Sequence, residues 1–296
     1  MTFSRSRALA LLAAAPLAAC GPRPGSGAIA VGSKNFTESI ILGELYAQVL
    51  ERAGMPVRRR LDLGTTDIAM TAMQRGEIDI YPEYTGTALI DVLHLAPESD
   101  AAKAYAAVRG AYLARYDMTW LEASPMNDTQ GLATTKAVAA KYGLKTLSDL
   151  GAKAASLRLG AVPEFLTRAD GLPGLQKRYG GFHFAATRTL DNGLKYNALT
   201  HGDVDVVIAF TTEGQLKADD LVVLVDDKHL FPPDQVAPIV RNATLKAKPD
   251  IAAALNKLAP LITTDAAQSM NLLVDGPKKA EPADVAKDFL AAHGLA

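Results

Sequence analysis

From Ile29 onward, short apolar runs alternate with stretches whose apolar residues recur every three or four positions. The first pattern predicts strands and the second predicts amphipathic helices. Residues 29–31 read as a strand. Residues 38–53 read as a helix, because Ile41, Leu45 and Val49 share one stripe and Gly54 stops it. Residues 57–61 form a second candidate strand, an exposed one given its arginines. Thr65 or Thr66 can cap a helix that runs to Arg75 with Ile68, Ala69, Ala72 and Met73 inward. Residues 78–81 predict a strand that Pro82 should stop. Residues 87–93 and 98–116 read as helices. This alternation argues for βαβ units and a mainly parallel sheet.

A second group begins near Gly131. Strands are predicted over 131–134, 156–160, 204–210 and 221–225. Helices are predicted over 136–142, near Asp149 and Leu150, and over 163–170, 173–179 and 192–201. The run from Val204 to Phe210 is nearly all apolar, so it should sit centrally in its sheet. Residues 236–240 form one more strand. Helices near 249–260, 263–274 and 282–294 follow it and should pack on existing sheet. Polar stretches near 123–130 and 226–235 read as two crossings between lobes. The expected organisation is lobe 1 from 29–127 and 233–296, with 128–232 inserted as lobe 2. A cleft between two lobes is a favoured ligand position.

Composition narrows the function classes. The 296 residues are 49% apolar and 21% charged, a globular balance. The net charge of -1 offers no bulk attraction for nucleic acid. A single cysteine excludes an intramolecular disulfide and a cysteine-rich metal site. That cysteine closes a distinctive leader. Arg5 and Arg7 precede an apolar run from Ala8 to Ala19, which ends Leu17-Ala-Ala-Cys20-Gly21. Such a run is shorter than the roughly 20 residues that span a bilayer. Residues 1–19 therefore read as a secretory signal. Cys20 resembles the lipidated cysteine of a bacterial lipobox. Residues 20–28, rich in Gly, Pro and Ser, read as a lipidated tether.

Catalytic signatures are missing from the sequence. His94, His183, His201, His229 and His293 do not pair at ligand spacing, and no metal site is expected. Neither a GxSxG elbow, a P-loop nor a GxGxxG run occurs. Asp226-Asp227 beside Lys228 and His229 reads as a solvated loop. Polar and aromatic residues instead gather at predicted strand ends, which face the crevice of open α/β sheets. They are Ser33-Lys34-Asn35, the group Tyr81, Glu83, Tyr84, Thr85 and Thr87, then Thr211-Thr-Glu-Gly214, and Phe231-Pro-Pro233.

An ordered set of stretches carries a family resemblance across nearly all of the expected mature chain. It comprises Gly32-Ser-Lys-Asn-Phe-Thr-Glu38, Ile41-Leu-Gly-Glu-Leu45 and Asp79-Ile-Tyr-Pro-Glu-Tyr-Thr-Gly-Thr87. Leu147-Ser-Asp-Leu150, Glu164-Phe165, Arg168-Ala-Asp-Gly171, Thr211-Thr-Glu-Gly214, Asp226-Asp-Lys-His229 and Phe231-Pro-Pro233 complete it. The chain resembles bacterial substrate-binding lipoproteins of ATP-driven (ABC) importers for glycine betaine, choline and related osmoprotectants. The resemblance implies a type II periplasmic-binding-protein fold, with two α/β lobes closing around a ligand cleft. It also implies an aromatic cage for a trimethylammonium group. By position, Tyr84 would be a cage wall, Thr87 a donor to a ligand carboxylate, Phe210 a ring where the family usually has tyrosine, and Phe231 a further face. Asn35 and Thr211 join them as candidate ligand contacts. Gln130 is a candidate too, standing where the family commonly has an aromatic. Asp234-Gln235 likewise follows Phe231-Pro-Pro233 where a ring is usual. Fewer rings suit a more polar ligand. Lys34 or Arg158 is a candidate partner for a ligand carboxylate.

The expected partners are a small solute and an inner-membrane ABC permease with a separate ATPase subunit. No cofactor, nucleic-acid partner or catalysis is expected. The protein should be a periplasmic monomer tethered by lipid on Cys20. Alternatives are a sensing module of the same fold, a binder of a non-quaternary polar or amino-acid-like solute, an enzyme on this fold, and a structural lipoprotein.

Overall fold

The computed structural model describes residues 27–168, 170–191 and 194–295. The predicted signal, Cys20 and most of the tether lie outside the described residues. The chain first lays down β1 (Ile29–Gly32), β2 (Val57–Arg60), β3 (Ile80–Tyr84) and β4 (Met118–Trp120). It then builds β5 (Gln130–Thr134), β6 (Arg158–Ala161), β7 (Ala186–Thr189), β8 (Val206–Phe210) and β9 (Val222–Val223), and returns with β10 (Val236–Arg241). Two five-stranded sheets result, ordered β2-β1-β3-β10-β4 and β7-β6-β8-β5-β9. The apolar β8 is central, as its composition requires. The arginine-rich β2 is an exposed edge, and Arg59 is held by Glu44 and Glu51. Charge along an edge strand discourages pairing with another chain.

The sheets are mixed rather than mainly parallel. β1 runs parallel to β2 and β3, and β6 runs parallel to β7 and β8. In contrast, β10 is antiparallel to both neighbours and β5 is antiparallel to β8 and β9. The antiparallel pairs form where the chain enters and leaves the inserted sheet, so the returning strand runs opposite to its neighbours. β3 also continues through Pro82 to Tyr84 instead of stopping. Pro82 lies opposite Pro238 on β10. Directly opposed residues of an antiparallel pair either exchange both hydrogen bonds or neither. Two facing prolines occupy a pair that exchanges neither, so no donor is missed. The predicted helix over 87–93 is a short turn, Thr85–Thr87, followed by a π-turn, Ala88–Val92.

Apolar clusters cover both faces of each sheet. On one face of the first sheet, helix Thr37–Arg52 buries Ile41, Leu42 and Leu45 against helices Asp250–Asn256, Thr264–Asp275 and Pro282–Ala292. Met73, Tyr112 and Trp120 fill the other face. Among the described residues, no helix is long and apolar enough to cross a membrane.

The crossings are stitched to one another. Asn127 and Gln235 form an antiparallel bridge. Asp128 N donates to Asp234 O (3.0 Å), and Thr129 Oγ1 donates to Pro232 O (2.7 Å). Helix Thr264–Asp275, part of the first core, reaches across to the inserted sheet. Gln268 Nε2 donates to Thr211 O (2.7 Å) and Asn271 Nδ2 to Thr212 O (2.9 Å). Gly214 packs so closely there that an added Cβ would lie 2.7 Å from Leu272.

Candidate functional site

Two strand ends from different sheets face one cleft. On the first side, the loop after β1 carries Lys34 and Asn35, and β3 ends in Glu83-Tyr84. Lys34 Nζ donates to Glu83 Oε1 at 2.7 Å, with side chains 5% and 0% exposed. Tyr81 Oη (2.6 Å) and Tyr84 N (2.8 Å) also donate to the Glu83 carboxylate. A buried ion pair survives only when its remaining hydrogen-bonding capacity is met, and these two donors help to meet it. The Lys34 ammonium also lies 4.6 Å from the Tyr84 ring centroid. Tyr84 Oη donates to Glu38 Oε1 (2.8 Å), and Asn271 Nδ2 donates to Glu38 Oε2 (3.0 Å). Burial pushes the Tyr84 hydroxyl well above its ordinary range and raises the Glu38 carboxyl.

The second side repeats the plan at the end of β8. Lys195 Nζ donates to Glu213 Oε1 (2.7 Å), and Phe210 N donates to Glu213 Oε2 (2.9 Å). Tyr196 Oη also donates to Glu213 Oε2. The Lys195 ammonium is 5.5 Å from the Phe210 ring centroid. Burial lowers its proton affinity. Between the two sides lie Asp128, which accepts from Thr212 Oγ1 (2.7 Å), and Asp234. Asp234 accepts from Gly86 N (2.6 Å), Thr87 N (3.1 Å) and Thr87 Oγ1 (3.1 Å). Burial nonetheless pushes its carboxyl up to about 7. Burial, followed by the charge of Glu38, pushes Asp128 well above the usual carboxylate range.

The cleft encloses about 520 Å³. Through Thr87, Asp91, Asp128, Phe210 and Asp234 it adjoins a second recess of about 270 Å³. Asn35, Tyr84, Thr87 and Phe210 line the main cleft, and Gln130 lines the recess. Gln130 Nε2 donates to Asp170 Oδ2 (3.1 Å). Two candidates lie off both linings. Thr211 Oγ1 donates to Asn127 O (2.6 Å) and accepts from Thr129 N (3.1 Å), so it knits the crossing. Phe231 is 7% exposed and packs in the second sheet's core. The Thr87 hydroxyl, expected to reach a ligand carboxylate, is bonded to Asp234. Both basic candidates are already ion-paired. Lys34 is bonded to Glu83, and Arg158 is forked onto Asp205 outside the cleft.

Residue-type reasoning missed Glu38, Asp128, Lys195 and Asn271 as parts of the site, and it placed Glu213 at a strand end without giving it a role. Glu38 closes the Gly32–Glu38 stretch of the resemblance, and Asp128 lies in the polar stretch near 123–130. Lys195 and Asn271 sit within helical stretches with no local mark.

Two mixed α/β lobes around an aromatic and polar cleft define a solute-binding protein of type II periplasmic-binding-protein architecture. The chain belongs to the OpuAC family, described as the substrate binding domain of ABC-type glycine betaine transport systems, which matches residues 27–292. Membership places the domain outside the cytoplasm. The chain is 34% identical over 270 residues to the ergothioneine transport permease/ergothioneine binding protein EgtU of Helicobacter pylori. That match covers 90% of this chain and 48% of EgtU, so the chain spans about half of that relative's length. It is 35% identical over 276 residues to a glycine-betaine-binding protein of Pseudomonas aeruginosa, covering 90% of this chain and 88% of the relative. Among solved structures, it superposes on that of a glycine betaine/carnitine/choline ABC transporter with a TM-score of 0.84 and 33% identity. The superposition covers 90% of this chain and 99% of the other.

Proposed function

We propose that this protein is the solute-binding component of an ATP-driven importer, capturing a small quaternary-amine or zwitterionic solute and delivering it to a membrane permease. The observation that carries the reading is that Tyr84 and Phe210, from different sheets, line one cleft. A cationic head group between two ring faces gains about 0.5–2 kcal/mol from each, more as water is excluded. Residues 29–127 with 233–296 act as one lobe and 128–232 as the other. Ligand contacts with both lobes shift the population from open to closed. The permease reads the closed shape. ATP is hydrolysed by a separate subunit. Lipid on Cys20 tethers the monomer to a membrane. The relatives that bind glycine betaine or ergothioneine support this solute class.

A thermal-shift screen of betaines, choline, carnitine, ergothioneine and amino acids tests the reading. A ligand at 100 times its Kd stabilises the native state by about 2.7 kcal/mol. For a quaternary-amine hit, Tyr84→Ala should weaken binding by calorimetry far more than Tyr84→Phe. Equal losses would show that the ring face is not the contact.

A further inference from the structure

One side chain holds both walls of the cleft through a single atom. Asn271, on helix Thr264–Asp275, donates from Nδ2 to Glu38 Oε2 (3.0 Å) on the first wall and to Thr212 O (2.9 Å) on the second. An amide nitrogen carries two N–H donors, and both are used here. Each contact leads directly to a ring. Glu38 accepts the Tyr84 hydroxyl through its other oxygen (2.8 Å). Thr212 lies in a turn closed by two bonds: Glu213 N donates to Phe210 O (3.0 Å), and Phe210 N donates to Glu213 Oε2 (2.9 Å). A chain of bonds therefore runs from the Tyr84 hydroxyl through Glu38 and Asn271 to the turn that carries Phe210.

The amide keeps this orientation at a cost. Glu38, Asn271 and Thr212 are all buried. Turned over, the amide would set its oxygen against the Thr212 carbonyl, which can only accept. As it stands, Asn271 Oδ1 is buried without a hydrogen-bond partner among the described residues. An apolar side chain of similar shape would avoid that loss, so what the asparagine supplies is its two donations. Gln268, one turn earlier on the same helix, makes a useful contrast. It donates to Thr211 O (2.7 Å), stands off the cleft lining and has no bond to Glu38. Thr211 is also held by its own hydroxyl, bonded to Asn127 O and Thr129 N.

We infer that Asn271 is a positioning residue: it sets the spacing between Tyr84 and Phe210, and thereby the girth of the head group that the two rings accept. The inference rests on the solute-binding reading above and adds the residue that fixes its size limit. Asn271 needs no contact with the solute for this role. Without its amide, Glu38 loses a donor and the Phe210 turn loses its tie to the first wall. The attraction of a cation for a ring face fades beyond about 6 Å from the centroid. A spacing held by fixed bonds therefore favours one girth, and a loosened one favours none.

Calorimetry on the intact mature chain with tetramethylammonium and tetraethylammonium tests this, since the two carry the same charge and differ in girth. The unaltered protein should bind the narrower cation roughly tenfold or more tightly. Asn271→Ala should bring the two within about threefold of each other. Tyr84→Phe keeps the ring and cuts the same chain at its other end, so it should narrow the ratio in the same direction by a smaller factor. It also keeps the test open should Asn271→Ala fail to fold. Gln268→Ala breaks a bond to the neighbouring carbonyl without touching Glu38. It should lower the thermal unfolding midpoint and leave the ratio unchanged. A loss of stability alone does not move that ratio. Equal binding of the two cations by the unaltered protein, or a ratio unmoved in both Asn271→Ala and Tyr84→Phe, would overturn the inference and leave the solute-binding reading intact. A ratio that moves as far in Gln268→Ala would overturn it too, by showing that docking of the helix sets the spacing. So would binding of a solute from the thermal-shift screen with neither cation bound, because the ring spacing would then not be what holds the head group. Binding of neither cation and of no solute in that screen would overturn both readings.

Discussion

The two walls of the cleft share one plan and differ in how tightly it is sealed. Each sets a lysine–glutamate pair beside an aromatic ring at a strand end. On the first wall, Lys34 and Glu83 are both buried and the Tyr84 hydroxyl is tied to Glu38. On the second, Lys195 is buried but the Glu213 side chain is 22% exposed, and Phe210 has no hydroxyl to anchor it. The first wall is fixed by its hydrogen bonds before any solute arrives, and the second retains solvent access at its acid. Preorganisation on one side lowers the ordering cost of binding, and freedom on the other allows adjustment on closing.

The largest test of this contrast removes each lysine in turn. Lys34→Met strands a fully buried carboxylate and should cost about 3–5 kcal/mol of stability. Lys195→Met leaves an acid that water can reach, so the loss should be smaller by about 1 kcal/mol or more. Equal drops in thermal unfolding midpoint would show that the walls are energetically alike. Next comes the place where the walls meet. Gly214→Ala puts a methyl 2.7 Å from Leu272 and should cost about 1–3 kcal/mol by overpacking. An unchanged chemical-denaturation midpoint would mean that helix Thr264–Asp275 shifts freely.

The smallest effect concerns Asp234. Burial lifts it to about 7, against about 3.9 in an unfolded chain. Between these values the native chain holds a proton that the unfolded chain has lost. Its contribution to stability is therefore full below about pH 4 and lost as pH rises through about 7. An asparagine can keep the bonds to Gly86 and Thr87 without titrating. Asp234→Asn should flatten the decline and, at pH 8, leave the protein more stable by about 1–2 kcal/mol. Parallel pH profiles for the two proteins would refute the assignment.

How much of this was legible beforehand followed from periodicity. β8 and helix Thr37–Arg52 could be read because burial on one or more faces writes an apolar pattern. β7 could not, because all four of its residues are exposed and nothing alternates. β4, at three residues, is too short to show a period. The course of β3 through Pro82 depends on a partner proline 156 positions away, which no local rule contains. The same logic sorts the site. Tyr84 and Asn35 could be found because strand ends face the crevice, and Phe210 through the family resemblance. Thr211 directly follows Phe210, and its side chain serves the crossing instead, bonded to Asn127 and Thr129. Lys195 and Asn271 gain their roles from where whole helices are docked. The substitution of Asp234 for a ring was visible, but its hold on Thr87 became apparent only with the fold.

Helix Thr264–Asp275 belongs to the first core, yet its Gln268 and Asn271 grip the backbone of Thr211 and Thr212. The jaws are thus braced near their pivot by a strut as well as by the paired crossings. A motion that parted the two sheets at this point would have to break both bonds.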